Sequence, residues 1–189
     1  MKPEEVLTSI EKIAPQRGWP IIGPKRGPLL DEVVVRYAPA TILEVGTNVG
    51  YSAIRIGRLL NRDQKLTCIE IRDDMARAAR SNFEKAGLSD HVEVIVGDAL
   101  KVLPTLTKSL DMVFLDAVKE DYLAYLKSVE RLLHKGSVVV ADNVKSHAAE
   151  VKPYLDYVRR SGLYASTYKE APPNWGTDPG DAVEISVML

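Results

Sequence analysis

The sequence is poor in the residues that would announce several common functions. It has one cysteine, Cys68, so no disulfide framework is available, and a reducing cytoplasm suits it. Its three histidines, His91, His134 and His147, do not fall at metal-ligand spacing. No apolar run approaches the roughly 18 residues needed to cross a bilayer. Excess charge is lacking too: 25 Lys and Arg stand against 26 Asp and Glu, for a net charge of −1. That balance speaks against a dedicated electrostatic grip on nucleic acid or on an anionic membrane. The opening MKPEEVLTSIEK carries acids where a secretory leader needs a basic and then an apolar stretch, so a mature, cytoplasmic protein is expected.

What remains is ordinary globular material: 189 residues, 46% hydrophobic and 27% charged. This length predicts one domain over 1–189, with residues 1–40 as N-terminal helices and a loop. Val6, Ile10 and Ile13 follow helical spacing. Pro15, Gly18, Pro20, Gly23, Pro24 and Gly27 then predict a loop, PQRGWPIIGPKRG. Pro28 suits the first turn of a second helix that stops near Pro39.

From Thr41 the rhythm changes. Short apolar runs at 41–45, 65–70, 91–96, 110–115 and 136–141 alternate with helical stretches at 51–60, 72–86 and 120–133. Near-continuous apolar strands separated by helices predict parallel β/α units buried on both faces. The end differs. A helix over 148–161 leads to LYASTYKE, the turn-rich APPNWGTDPGD and the last strand AVEISVML. Two strands joined without a helix are expected to be antiparallel neighbours.

The chemistry-bearing residues gather at the ends of the predicted strands. Glu44-Val45-Gly46-Thr47-Asn48-Val49-Gly50-Tyr51-Ser52 reads as strand, glycine-spaced turn and helix. Gly46 permits a tight turn and close approach to a ligand. A dinucleotide fingerprint would need glycine at Asn48, which argues against a dehydrogenase. Glu70 closes the second strand, where an acid can take both ribose hydroxyls of a nucleoside ligand. Asp98, just past the third strand, either touches a base edge or caps the helix that follows. Asp116 ends the fourth strand, and Asp142 and Asn143 end the fifth. Two carboxylates and an amide oxygen form a hard donor set suited to Mg²⁺, although each residue also suits a helix cap. Lys119, three residues past Asp116, would then stand near the cation as a general base, although a helix lysine taken alone is ordinarily solvated. Cys68 alternates with apolar residues and is expected in the core. Lys25–Arg26 and Arg159–Arg160 are expected to be solvated pairs. Trp19 and Trp175 fall in irregular segments, where an aromatic can line a ligand pocket.

Together these motifs resemble the catechol O-methyltransferase-like, cation-dependent family of S-adenosylmethionine-dependent O-methyltransferases. The resemblance runs from about Trp19 to Val144 and rests on LEVGTNVGYSAIRIGRLL, FLDAVKEDY and VVVADNV occurring in order. It implies an α/β, Rossmann-like methyltransferase fold. The sheet would have seven mostly parallel strands in the order 3-2-1-4-5-7-6, strand 7 antiparallel, with helices on both faces. It further implies that Glu44, Gly46, Gly50 and Asp116 border the cofactor. Ser52 would hold the cofactor's carboxylate and Glu70 its ribose, with Asp98 or Ala99 near the adenine and Ile21 in a loop over the whole. Asp116, Asp142 and Asn143 would hold Mg²⁺, and Lys119 would be the base. Trp19, Lys119, Asn143 and Trp175 would face the acceptor.

Two departures stand out. Ala117 and Val118 occupy positions that are bulky in catechol O-methyltransferase itself, and Glu170 is the nearest match to its late glutamate. The implied activity is Mg²⁺-dependent methylation of a hydroxyl on a small aromatic diol. Two alternatives are methylation of a tRNA base hydroxyl, helped by Lys25, Arg26, Arg159 and Arg160, and cofactor binding without catalysis. A homo-oligomer is left open.

Overall fold

The computed structural model describes residues 1–176 and 179–189. The turn-rich APPNWGTDPGD includes residues 177 and 178, which lie outside the described residues. Seven strands form one sheet: β1 (Thr41–Val45), β2 (Lys65–Glu70), β3 (Val92–Val96), β4 (Met112–Leu115), β5 (Val138–Ala141), β6 (Tyr164–Ala171) and β7 (Asp181–Met188). Their order is β3-β2-β1-β4-β5-β7-β6. The pairs among β1 to β5 are parallel, whereas β7 runs antiparallel to β5 and to β6. This is the Rossmann-like order that the resemblance implied. The central strands are apolar because both faces are covered: every residue of β4 and β5 is buried.

Among the described residues seven α-helices cover the sheet: α1 (Pro3–Arg17), α2 (Gly23–Tyr37), α3 (Tyr51–Gly57), α4 (Asp73–Lys85), α5 (Ala99–Val102), α6 (Tyr122–Val129) and α7 (Lys152–Arg160). One core layer joins α1 to α4 with one face of the sheet through residues such as Leu30, Ile54, Phe83 and Phe114. The other joins the opposite face to α6 and α7 through Leu43, Val113, Leu126 and Val158. No helix among the described residues is long and apolar enough to cross a membrane.

The structure corrects the reading of the N-terminal segment. The loop expected from Pro15 to Gly27 is only five residues, 18–22. α1 continues through Pro15 to Arg17 and ends where Gly18 takes a left-handed φ of 62°. Pro15 removes one backbone hydrogen bond, but Val6, Leu7, Ile10 and Ala14 are buried, and that packing carries the helix past it. Val6 and Ile10 of the expected face are buried, whereas Ile13 is 41% exposed. α2 starts five residues before Pro28, with Pro24 at its first turn and Pro28 inside it. Two later helices are shorter than expected. The 120–133 stretch is α6 flanked by 3₁₀ turns at Lys119–Asp121 and Glu130–Leu132. α7 begins at Lys152, with Pro153 in its first turn, rather than at Ala148.

Candidate active site

Register places the site. Val45 pairs with Leu115, and Leu115 with Ala141, so Gly46, Asp116 and Asp142 leave three adjacent strands at one level. β7 runs back past the end of β5, Ala141 pairing with Glu184, which brings Asp181 alongside Asn143. Open α/β sheets bind ligands at this carboxyl edge.

Two cavities meet there. The larger, about 840 Å³, is bordered by Gly46, Asn48, Ser52, Glu70, Ala117 and Lys119. The smaller, about 260 Å³, is bordered by Arg26, Asp142, Asn174, Trp175 and Asp181. Trp19, Ile21, Asp116 and Asn143 line both.

The larger cavity is shaped by close backbone. Gly46 has φ +91°, and a Cβ there would stand 2.5 Å from the carbonyl oxygen of Asp116. Only glycine lets the two strand ends approach so closely. Glu70 accepts hydrogen bonds from the backbone N–H groups of Asn48 (2.7 Å) and Arg72 (2.9 Å). A carboxylate has about four acceptor positions, so two remain for a ligand. Glu44 lies beneath the cavity floor, fully buried, and accepts from the hydroxyls of Thr47 and Ser52. Burial pushes its carboxyl up to about 7 against those hydrogen bonds. The Ser52 hydroxyl hydrogen is thus committed to Glu44, and the hydroxyl must turn before it can donate to a ligand carboxylate. Asp98 accepts from the backbone N–H of Leu100 at 3.0 Å as the cap of α5, and neither it nor Ala99 borders this cavity.

Lys119 stands at the junction. Its Nζ donates to Asp116 Oδ1 and to the Tyr122 hydroxyl, both at 2.8 Å. Tyr122 in turn donates to the carbonyl oxygen of Asp142 at 3.1 Å. Burial holds the Tyr122 phenol well above its usual pKa, with Asp116 adding to the shift, so it remains a donor. The amine keeps one tetrahedral position for an acceptor hydroxyl.

Asp142 is 1% exposed. Burial, and then the Asp116 carboxylate, push its carboxyl above the usual range. Asn143 adopts a left-handed φ of 60°, which asparagine tolerates. Its amide N–H donates to Asp181 at 2.8 Å, so its oxygen is the atom left for another partner. Burial opposes ionisation of Asp181, but hydrogen bonds from Ser146 and Asn143 outweigh it and hold the carboxyl below its usual range. No group of three His, Cys, Asp or Glu side chains suited to a metal occurs among the described residues. The candidate donors are instead Asp116, Asp142 and the Asn143 amide oxygen. Asp142 Oδ1 is buried and makes no hydrogen bond, meeting only Arg26 Nε in a 2.8 Å ion contact. Hard oxygen donors with one left unsatisfied fit a small divalent cation.

Arg26 corrects an expectation. Foreseen as half of a solvated basic pair, it is 5% exposed. Its Nη2 donates to Asp142 Oδ2 at 3.1 Å, and its Nη1 lies 3.8 Å from Asp181. Sequence reading missed both Arg26 and Asp181. The signal available was chemical: two acids ending adjacent buried strands require a cation from elsewhere in the chain. Arg159 is also engaged, with Glu184 at 2.7 Å, so the four-cation patch considered for RNA does not stand free. Glu170 pairs with Lys145 at 2.9 Å and borders neither cavity.

Asn174 fastens the loop of Trp175 to the start of α2. Its amide donates to the carbonyl oxygen of Ile22 at 3.0 Å and accepts from the N–H of Lys25 at 2.9 Å. A Cβ on Gly23 would collide with it at 2.5 Å.

The chain is similar to known proteins over most of its length. Catechol O-methyltransferase B of Danio rerio is 36% identical over 195 residues, covering 99% of this chain and 73% of its own length. Mouse catechol O-methyltransferase is 36% identical over 174 residues, covering 88% of this chain, which spans 65% of that relative. The crystal structure of the O-methyltransferase TomG from Streptomyces achromogenes, in complex with SAM, superposes with a TM-score of 0.86 at 30% identity. That match covers 98% of this chain and 90% of TomG. The family profile described as O-methyltransferase matches residues 3–161. With its sheet order and strand-end residues already in place, the chain belongs to the O-methyltransferase family.

Proposed function

We propose that the protein transfers a methyl group from S-adenosylmethionine to one hydroxyl of a small vicinal aromatic diol, with Mg²⁺ as the divalent cation. One observation carries this reading: Asp116, Lys119, Asp142 and Asn143 stand on the wall between a nucleoside-sized cleft and a smaller cavity flanked by two tryptophans. The S-adenosylmethionine bound by TomG and the catechol acceptor named for the vertebrate relatives support it.

When bound, the cofactor supplies a sulfonium methyl, and the cation supplies positive charge that makes a nearby phenol easier to deprotonate. The remaining work falls to the chain. Glu70 uses its two open acceptor positions on the ribose hydroxyls. Gly46 keeps the turn clear for the methionine part, Ser52 serves its carboxylate, and Ile21 closes over it. Trp19 and Trp175 offer aromatic faces to the acceptor ring. Lys119, held by Asp116 and Tyr122, takes the proton from the attacking hydroxyl. Holding oxygen and methyl roughly 3–3.5 Å apart in line supplies much of the rate. Asp116, Asp142 and the Asn143 amide oxygen hold the cation.

The test is transfer of labelled methyl from S-adenosylmethionine to a panel of catechols, with Mg²⁺ and with a chelator. Transfer that disappears with the chelator is expected, and transfer that persists removes the cation from the reading. Lys119→Ala should lower turnover by about 10²–10⁴-fold with cofactor binding unchanged. Undiminished turnover removes the base.

A further inference from the structure

Arg26 is unusual in its setting. A guanidinium is strongly basic and permanently charged, yet this one is 5% exposed and faces Asp142 through two of its nitrogens, at 2.8 and 3.1 Å. Asp142 is one of the donors assigned above to a divalent cation. The Nε contact is an ion contact without hydrogen-bond geometry, so both Nε and Asp142 Oδ1 are left unsatisfied in the interior. Two buried groups of opposite charge, close together but imperfectly bonded, form a pair that a better partner can separate.

A second acid lies beside the guanidinium and adds its charge, although hydrogen bonds from Asn143, Lys145, Ser146 and Ala182 already fill its acceptor positions. Asp181 is 3.8 Å from Nη1 and 3% exposed. It is held by Asn143, Ser146 and backbone N–H groups. Arg26 therefore has a carboxylate on either side, only one of which is a candidate cation ligand. A dication and a guanidinium cannot both sit against Asp142 without strong like-charge repulsion. Lys119 does not fill this place, since its amine goes to Asp116 and Tyr122.

We propose that Arg26 is a positioning residue that competes with the divalent cation for Asp142. It neutralises this acid when the cation is absent, gives way when the cation enters, and so sets the affinity of the site. The inference rests on the proposed function in one respect, that a cation binds at Asp142.

The experiment is titration with Mn²⁺, followed by the electron paramagnetic resonance signal of the free ion, without cofactor or acceptor. Wild type, Arg26→Met, Arg26→Lys and Asp142→Asn are compared, and thermal melting of each is recorded with and without Mn²⁺. Arg26→Met should bind Mn²⁺ about tenfold more tightly than wild type, because a neighbouring positive charge is gone. Without metal it should melt at a lower temperature, and Mn²⁺ should raise its melting point more than that of wild type. Arg26→Lys, which keeps the charge but not the fork, should lie between the two and serves if the Met variant does not fold. Asp142→Asn should lose the binding.

Mn²⁺ affinity that is unchanged or weaker in both Arg26 variants overturns this inference alone, since the guanidinium then only supports the site. Absence of Mn²⁺ binding in all four proteins overturns the cation of the proposed function, and this inference with it. Binding retained in Asp142→Asn places the cation elsewhere and overturns the competition.

Discussion

Glu44 carries a consequence that a single substitution can read. Its carboxyl is buried beneath the cofactor turn and raised to about 7 by burial, from an ordinary 4.5. Because the folded pKa is the higher one, the folded state keeps a proton between about pH 4.5 and 7 that the unfolded chain has lost. Stability from this group is therefore complete below the lower value and falls as pH rises through the upper one, by up to about 3 kcal/mol. Glu44→Gln removes the titration. Melting of both proteins at pH 5 and pH 8 should show the variant gaining on wild type at the higher pH. A difference independent of pH would mean that Glu44 does not titrate in this window. At the same scale, Asp116, Lys119, Asp142 and Asn143 were legible because each follows an apolar run, and strand ends of a parallel sheet share an edge. Arg26 was not legible: a basic residue beside another at a helix start looks solvated until its acidic partner, 116 positions away, is known. Asp181 was hidden for a related reason: it closes a turn-rich segment, and only the antiparallel pairing of β7 with β5 brings it to Asn143.

Among elements, the glycine turn between β1 and α3 joins the border of the larger cavity to the core. Gly50 has φ +85°, and a Cβ there would meet the Phe83 ring at 2.5 Å. Gly50→Ala forces both a left-handed alanine and a shift of α4 and should cost about 2–4 kcal/mol. At 189 residues that is a fall of about 5–10 °C in melting temperature. Gly136→Ala is the control: φ is +93° but nothing lies within 4 Å, so only the backbone cost applies and the fall should be clearly smaller. Equal falls would show that packing against Phe83 contributes nothing. β1 and β2 were readable from sequence to the residue because short, largely apolar runs bounded by polar turns leave few alternatives. The segment from Pro15 to Gly27 was misread because proline and glycine report local preference. Here burial of Ala14, Leu30 and their neighbours outweighs that preference and extends both helices into it.

The whole molecule is closed around its site by parts made at opposite ends of the chain. Asn174 joins Ile22 and Lys25 across sequence separations of 152 and 149, while the parallel sheet pairs strands far closer in sequence. Contacts of such long range carry the greatest loop-closure entropy, and they form after the transition state when local β/α units nucleate first. This clasp is therefore a kinetic lock on the folded state. Removing the hydrogen bonds to Ile22 and from Lys25 by Asn174→Ala, at about 1 kcal/mol each, should speed unfolding about 30-fold and leave refolding nearly unchanged in stopped-flow measurements across a denaturant series. A matching slowdown in refolding would place the clasp within the folding nucleus instead. With the clasp outside the nucleus, the lifetime of the closed pocket is set by one asparagine and is tunable apart from the rate at which the chain folds.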